Sequence, residues 1–200
     1  MRKYLVLFLI LLLIFPALAF AKKRYSQKGK LYLAYNVWVT PKERNQAFIN
    51  YKWGDNIIPA GTEVYKAKVE GFDDNGEFSP LSKVSFKIKT TGQKIRIKFN
   101  HKWHPGQKIY DYYKRTFTRK TFEELTKGFS EVELKAIRDG ALYPGMSKEA
   151  VIVSYGYPPE HMTPNLDSNE WFYWISKLVK KKFCFDENNK TIKCPGLEDL

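Results

Sequence analysis

The sequence predicts an α+β protein in two parts: a small all-β barrel or sandwich, followed by a two-layer domain with two helices on a three-stranded antiparallel sheet. Three observations predict it. From Leu31 to Phe99, short β-branched and aromatic runs recur between turn signals. From Thr121 the apolar period lengthens to that of a helix. Beyond Pro159 it returns to an aromatic run and a cysteine-bearing hairpin.

Residues 1–21 have the pattern of a secretory signal peptide. Arg2 and Lys3 give a positive start, Tyr4–Phe15 is unbroken apolar chain, and Pro16 interrupts it. Ala17-Leu18-Ala19-Phe20-Ala21 then places small residues where a signal peptidase cuts. The apolar run of about 12 residues is shorter than the roughly 20 that a bilayer span needs. Counting on through Ala21 gives 18, so an uncleaved inner-membrane anchor is the alternative. No cysteine follows the cleavage point, so the expected product is exported, periplasmic and non-lipidated.

Residues 22–30 form a basic arm, and a β-domain is expected over 31–100. Leu31–Val39 reads as a first strand, Ala47–Tyr51 as a second, and a Pro59-Ala60-Gly61 turn leads into a third that ends near Val69. Residues 71–76 form a turn of Gly, Asp and Asn. Lys83–Lys89 and Lys94–Phe99 then alternate cleanly, with Val84, Phe86 and Ile88 inward. Their outward positions carry Lys83, Lys87, Lys89, Lys94, Arg96 and Lys98, a basic β-face and the candidate binding surface. Lysine also protects edge strands from aggregation, but six cations without an acid is a biased choice.

Residues 101–120 are aromatic, basic and irregular, and are expected to be a linker. The second domain is expected over 121–200. Thr121-Phe122-Glu123-Glu124 and Ser130-Glu131-Val132-Glu133 have capping-box form, and Gly140 ends the helix that the second box opens. Ser147 opens another helix, closed by Gly156 with Pro158-Pro159 beyond. Glu170–Trp174 reads as a strand in which Trp171 and Trp174, three apart, face opposite sides. One should be core, and the other should mark an interface with the β-domain.

The two cysteines, Cys184 and Cys194, bracket a strand–turn–strand segment. A three-residue loop over Asn188–Lys190 pairs Glu187 with Thr191 and sets Cys184 opposite Cys194, whereas a two-residue turn sets it opposite Lys193. The first register and an oxidising compartment predict a disulfide.

The chain carries a formal charge of +13, which becomes +11 when Arg2 and Lys3 leave with the signal. Such charge in the cytosol would point to nucleic acid, and export argues against that partner. The anions expected outside an inner membrane are lipid headgroups and wall polymers, and peripheral membrane contact fits the charge.

Pro144-Gly145-Met146-Ser147-Lys148-Glu149-Ala150-Val151, then Tyr155-Gly156-Tyr157-Pro158-Pro159, then Trp171-Phe172-Tyr173-Trp174 resembles the BamE/SmpA-like domain, over about 60–80 residues. That family is marked by Gly-Met-Ser/Thr-Lys-x-x-Val, a Leu-Gly-x-Pro and an aromatic strand. The resemblance implies two helices on a three-stranded antiparallel sheet and, from its best-known members, a role in outer-membrane protein assembly with contact to phosphatidylglycerol. This chain departs from them in lacking the lipidation cysteine and in carrying a β-domain in front.

No catalytic constellation, metal site or cofactor motif is read in the chain. His101 and His104 flank Lys102-Trp103 before a Pro-Gly turn and read as a surface pair, and His161 lies in a loop. No nucleophile elbow, phosphate loop or dinucleotide fingerprint occurs. The expected function is non-enzymatic: an envelope interaction or assembly module that meets a protein partner or an anionic surface. The alternatives are a binder of wall polymer or membrane lipid and, further off, a hydrolase built on the three histidines.

Overall fold

A computed structural model describes residues 29–40, 46–48, 52, 56–71, 82–176 and 178–195. The signal peptide, most of the basic arm, the end of the strand expected over Ala47–Tyr51 and most of the turn expected over 71–76 lie outside the described residues.

The first part is a six-stranded sheet in the order β3-β7-β6-β5-β1-β8. The strands are β1 (Leu31–Leu33), β3 (Gln46–Phe48), β5 (Glu63–Glu70), β6 (Lys83–Ile88), β7 (Lys94–Lys98) and β8 (Phe117–Thr118). All neighbours are antiparallel except β3 and β7, which pair in parallel. The sheet is open, and no barrel closes among the described residues, which corrects that expectation. A helix covers the sheet's apolar face instead: α1 (Ile109–Thr116) buries Ile109, Tyr112, Tyr113 and Thr116, one face at helical spacing. Tyr113 packs on Phe117, which meets Phe86 edge-on.

Residues 101–120, expected as a linker, therefore hold a single 3₁₀ turn over His101–Trp103, helix α1 and strand β8. β8 pairs Phe117 with Leu33 and Thr118 with Tyr32, so this segment completes the sheet. In β5 the register with β6 shifts between Tyr65 and Lys68, and Lys66 has φ 53°. This is a bulge, which bends the strand and increases its twist.

The second part joins a three-stranded antiparallel sheet, β9 (Glu170–Trp174), β10 (Lys180–Phe185) and β11 (Thr191–Ile192), with α2 (Phe122–Leu125), α3 (Glu131–Asp139) and α4 (Lys148–Tyr155). Trp171, Tyr173, Phe183 and Phe185 share a core with Ile137 and Val151. Both capping boxes form, at Thr121/Glu124 and Ser130/Glu133, and Ser147 caps α4 through Ala150 N. Gly140 ends α3 in the left-handed region, where a Cβ would lie 2.2 Å from Ile57 Cδ1.

The short ladder of β2 (Val37–Trp38) with β4 (Ile57–Ile58) ties the two parts. Val37 enters the first core and its neighbour Trp38 the second, packed 5.2 Å from Tyr155. Asn36 beside them is 1% exposed and fully engaged. Its N–H donates to Val153 O at 3.0 Å, its Nδ2 donates to Ile137 O at 2.7 Å, and its Oδ1 accepts from Ala60 N at 2.8 Å. The strand read as Leu31–Val39 thus breaks at 34–36 so that consecutive residues can serve different cores.

Trp171 is the core tryptophan of its strand. Trp174 meets the first part through its carbonyl, which accepts from Lys52 N at 3.2 Å, and the larger apolar contact between the parts is at Trp38. The Cys184–Cys194 disulfide is present, with Cα atoms 5.1 Å apart. Its register differs from the expected one: Phe185 pairs with Thr191 and Cys184 with Ile192. The carboxylate of Asp186 causes the difference by accepting from Asn188 N and Lys190 N, which closes a longer loop. Cys194, past the end of β11, reaches back to Cys184.

Candidate functional site

Strands β6 and β7 place four of the six predicted cations in two cross-strand pairs of like charge, Lys83 opposite Lys98 and Lys87 opposite Lys94. Arg96 stands opposite Ser85 between them, and Lys89 follows β6 with its ammonium 5.6 Å from the Tyr65 ring centroid. All six are exposed or half-buried, in contrast to Val84, Phe86, Ile95 and Ile97 between them.

The face is not free of acid. Strand β5 brings Glu70 opposite Lys83, and its carboxylate accepts from Lys68 at 2.9 Å and Lys94 at 3.2 Å. Burial alone would raise the Glu70 carboxyl, but these hydrogen bonds outweigh it and hold it at about 2. Lys68 was also missed by sequence reasoning. Glu70 and Lys68 lie beyond the Lys66 bulge, so simple alternation along β5 could not place them.

The sheet of the second part has an open side. An apolar groove of about 900 Å³ is floored by Phe172, Ile192 and the disulfide, flanked by Met162 and Val179, and rimmed by Lys180, Lys181, Lys182 and Lys193. Lys182 pairs with Glu170 at 2.9 Å. The ammonium of Lys180 lies 4.7 Å over Trp174 and that of Lys181 lies 5.6 Å over Phe183.

The three histidines differ in burial. His104 is buried, not at the surface as expected: it stacks on Phe99 with centroids 5.5 Å apart, and its Nδ1 lies 3.7 Å from Glu160. Burial first, then the nearby His161, Arg115 and Lys52, lowers it to about 4, so it is neutral at ordinary pH. His101 is exposed, and His161 contacts Trp103 O through its backbone N–H at 3.3 Å and its ring Nδ1 at 3.1 Å. Arg115 donates to Glu160 at 2.6 Å and lies 4.9 Å over Tyr157. Lys52 is 8% exposed, with its ammonium 4.7 Å over Trp38, and burial lowers it to about 7. Between these groups is a cavity of about 10 Å³, about the room of one water. This cluster joins the two parts of the fold.

Among the described residues, no group of three or more His, Cys, Asp or Glu is placed to hold a metal ion. Among them also, no helix is long and apolar enough to cross a membrane. No family model, curated protein or solved structure matches the chain. The resemblance of residues 144–174 rests on its motif.

Proposed function

We propose that this is a non-catalytic, exported envelope protein that acts as an interaction or assembly module, held to an anionic envelope surface by the basic face of its six-stranded sheet. In this reading the second part is a BamE-like domain of two helices on a three-stranded sheet, and it carries the protein partner. One observation carries the proposal: the like-charged pairs Lys83/Lys98 and Lys87/Lys94. Directly opposed like charges destabilise a sheet. Glu70 offsets part of this repulsion through Lys94; the six cations still outnumber it, and an anionic partner would offset the remainder when it binds.

Co-sedimentation with purified sacculi and with vesicles of phosphatidylcholine plus phosphatidylglycerol tests this. Binding to at least one of them, falling as salt rises, is expected, because exposed charges are screened over about 10 Å at 0.1 M salt. Absence of binding to both, or binding indifferent to salt, contradicts it.

A further inference from the structure

The small cavity where the two parts meet is walled by polar groups whose bonding the fold leaves incomplete. Lys52 lines it and is 8% exposed. Its ammonium lies 4.7 Å over Trp38 and 5.9 Å over Tyr173, and it meets no carboxylate among the described residues. A lysine this deeply buried is almost always paired. Gln107 lines the same cavity, and neither end of its amide has a partner among the described residues. His104, 2% exposed, adds an Nε2 that also lacks one there. Arg115 is the second cation of the wall. The acid beside it is Glu160, whose Oε1 is taken by Arg115 at 2.6 Å and whose Oε2 lies 3.7 Å from His104 Nδ1. One carboxylate thus answers one of two cations. With Lys52 protonated, the site keeps a positive charge that no described group offsets.

We propose that this cavity is a halide site, in which one chloride ion is the counter-ion of Lys52 and accepts hydrogen bonds from its ammonium and from the Gln107 amide. Size narrows the choice of ligand. A cavity of about 10 Å³ takes a single water-sized species and leaves out phosphate, sulfate and carboxylates. Charge then decides between the small candidates. A water molecule satisfies Gln107 and His104 but leaves the Lys52 charge buried and uncompensated. An anion offsets that charge and lets Lys52 keep its proton against the pull of burial. Lys52 and Gln107 come from the first part, and Gly156 and Tyr157 close the cavity from the second, so a bound ion also strengthens the junction.

Thermal melts of the full chain near neutral pH, with sodium chloride replacing sodium gluconate at constant ionic strength, test this, since gluconate is too large to enter. Tm is expected to rise along a saturating curve, by about 3–6 °C when chloride reaches about ten times its Kd. Lys52→Met should melt alike in the two salts. Lys87→Gln, on the basic face, should keep the parent's difference, which separates the cavity from anions held at the surface. A crystal of the protein grown in bromide should show an anomalous peak beside Lys52 Nζ, and this decides the matter if Lys52→Met does not fold. Equal melts of the parent in the two salts, a chloride effect that survives Lys52→Met, or a bromide crystal with no peak in the cavity each overturns the inference, and the cavity then holds water. Binding to vesicles or sacculi is untouched by any of these outcomes, so the proposed function stands or falls separately.

Discussion

The two sheets of this molecule are built alike on their covered faces and oppositely on their open ones. Each buries aromatic and aliphatic side chains beneath helices, α1 over the first and α3 with α4 beside the second. The first then opens a row of cations toward solvent, while the second opens Phe172, Ile192 and a disulfide inside a lysine rim. Core formation dictates only one side of a sheet. Where each sheet's second side carries groups that its core does not need, a row of cations in one and exposed apolar side chains in the other, those sides are the places to look for binding.

The comparison breaks most visibly if the two cores are independent. Trp171→Ala removes the largest fully buried side chain and should cost about 3–5 kcal/mol. Because Trp38 and Asn36 join the cores, urea melts followed by near-UV signal and by backbone circular dichroism should still coincide. Separate transitions would show that the parts fold on their own. Asn36→Ala should cost about 2–3 kcal/mol, since it leaves the buried Ala60 amide without its acceptor and takes one of two donors from the Ile137 carbonyl, which keeps Gly140 N.

Glu133 sharpens the picture of the second part. Its carboxylate accepts from the backbone N–H and hydroxyl of Ser130 and of Ser147, and from Lys190, so one group ties the starts of α3 and α4 to the β10–β11 loop. Burial would raise this carboxyl, but the hydrogen bonds outweigh it and hold it at about 2. Its contribution, about 2–3 kcal/mol, is present above the ordinary glutamate range and is lost as pH falls from about 4.5 toward 2. Glu133→Gln should flatten that part of a stability-against-pH curve. Lys52 acts at the other end of the scale. Its amine is held at about 7 when folded and returns to 10.5 when unfolded, so the unfolded chain binds the extra proton between those values. Stability should therefore rise with pH across that window, and Lys52→Met should remove this component and stabilise the protein near pH 7 by about 1–2 kcal/mol.

Much of this was legible in the sequence, and the failures have physical causes. The capping residues Thr121, Ser130 and Ser147 stand out because a cap is a local bond between near neighbours. Lys83 to Lys98 could be put on one face because alternation has a period of two. Helix α1 was missed because three of its four buried residues are Tyr112, Tyr113 and Thr116, which a hydropathy count scores as polar. Their hydroxyls find partners only in the fold, where Tyr35 Oη lies 3.1 Å from Tyr112 Oη and 3.0 Å from Thr116 Oγ1. Glu70 escaped notice because a bulge precedes it. His104 read as a surface residue because nothing in its neighbourhood announces Phe99 and Glu160 as its walls.

The smallest expected effect bears most directly on the central claim, that the basic face is kept for an anion at a cost to the sheet. Lys87→Gln removes one member of an opposed like-charge pair and leaves the Lys94–Glu70 pair in place. The account expects stability to rise by a few tenths of a kcal/mol, while affinity for the anionic vesicle or sacculus, measured on the same preparation at low salt, falls about fivefold. A variant that loses stability and binds as tightly as the parent would contradict it.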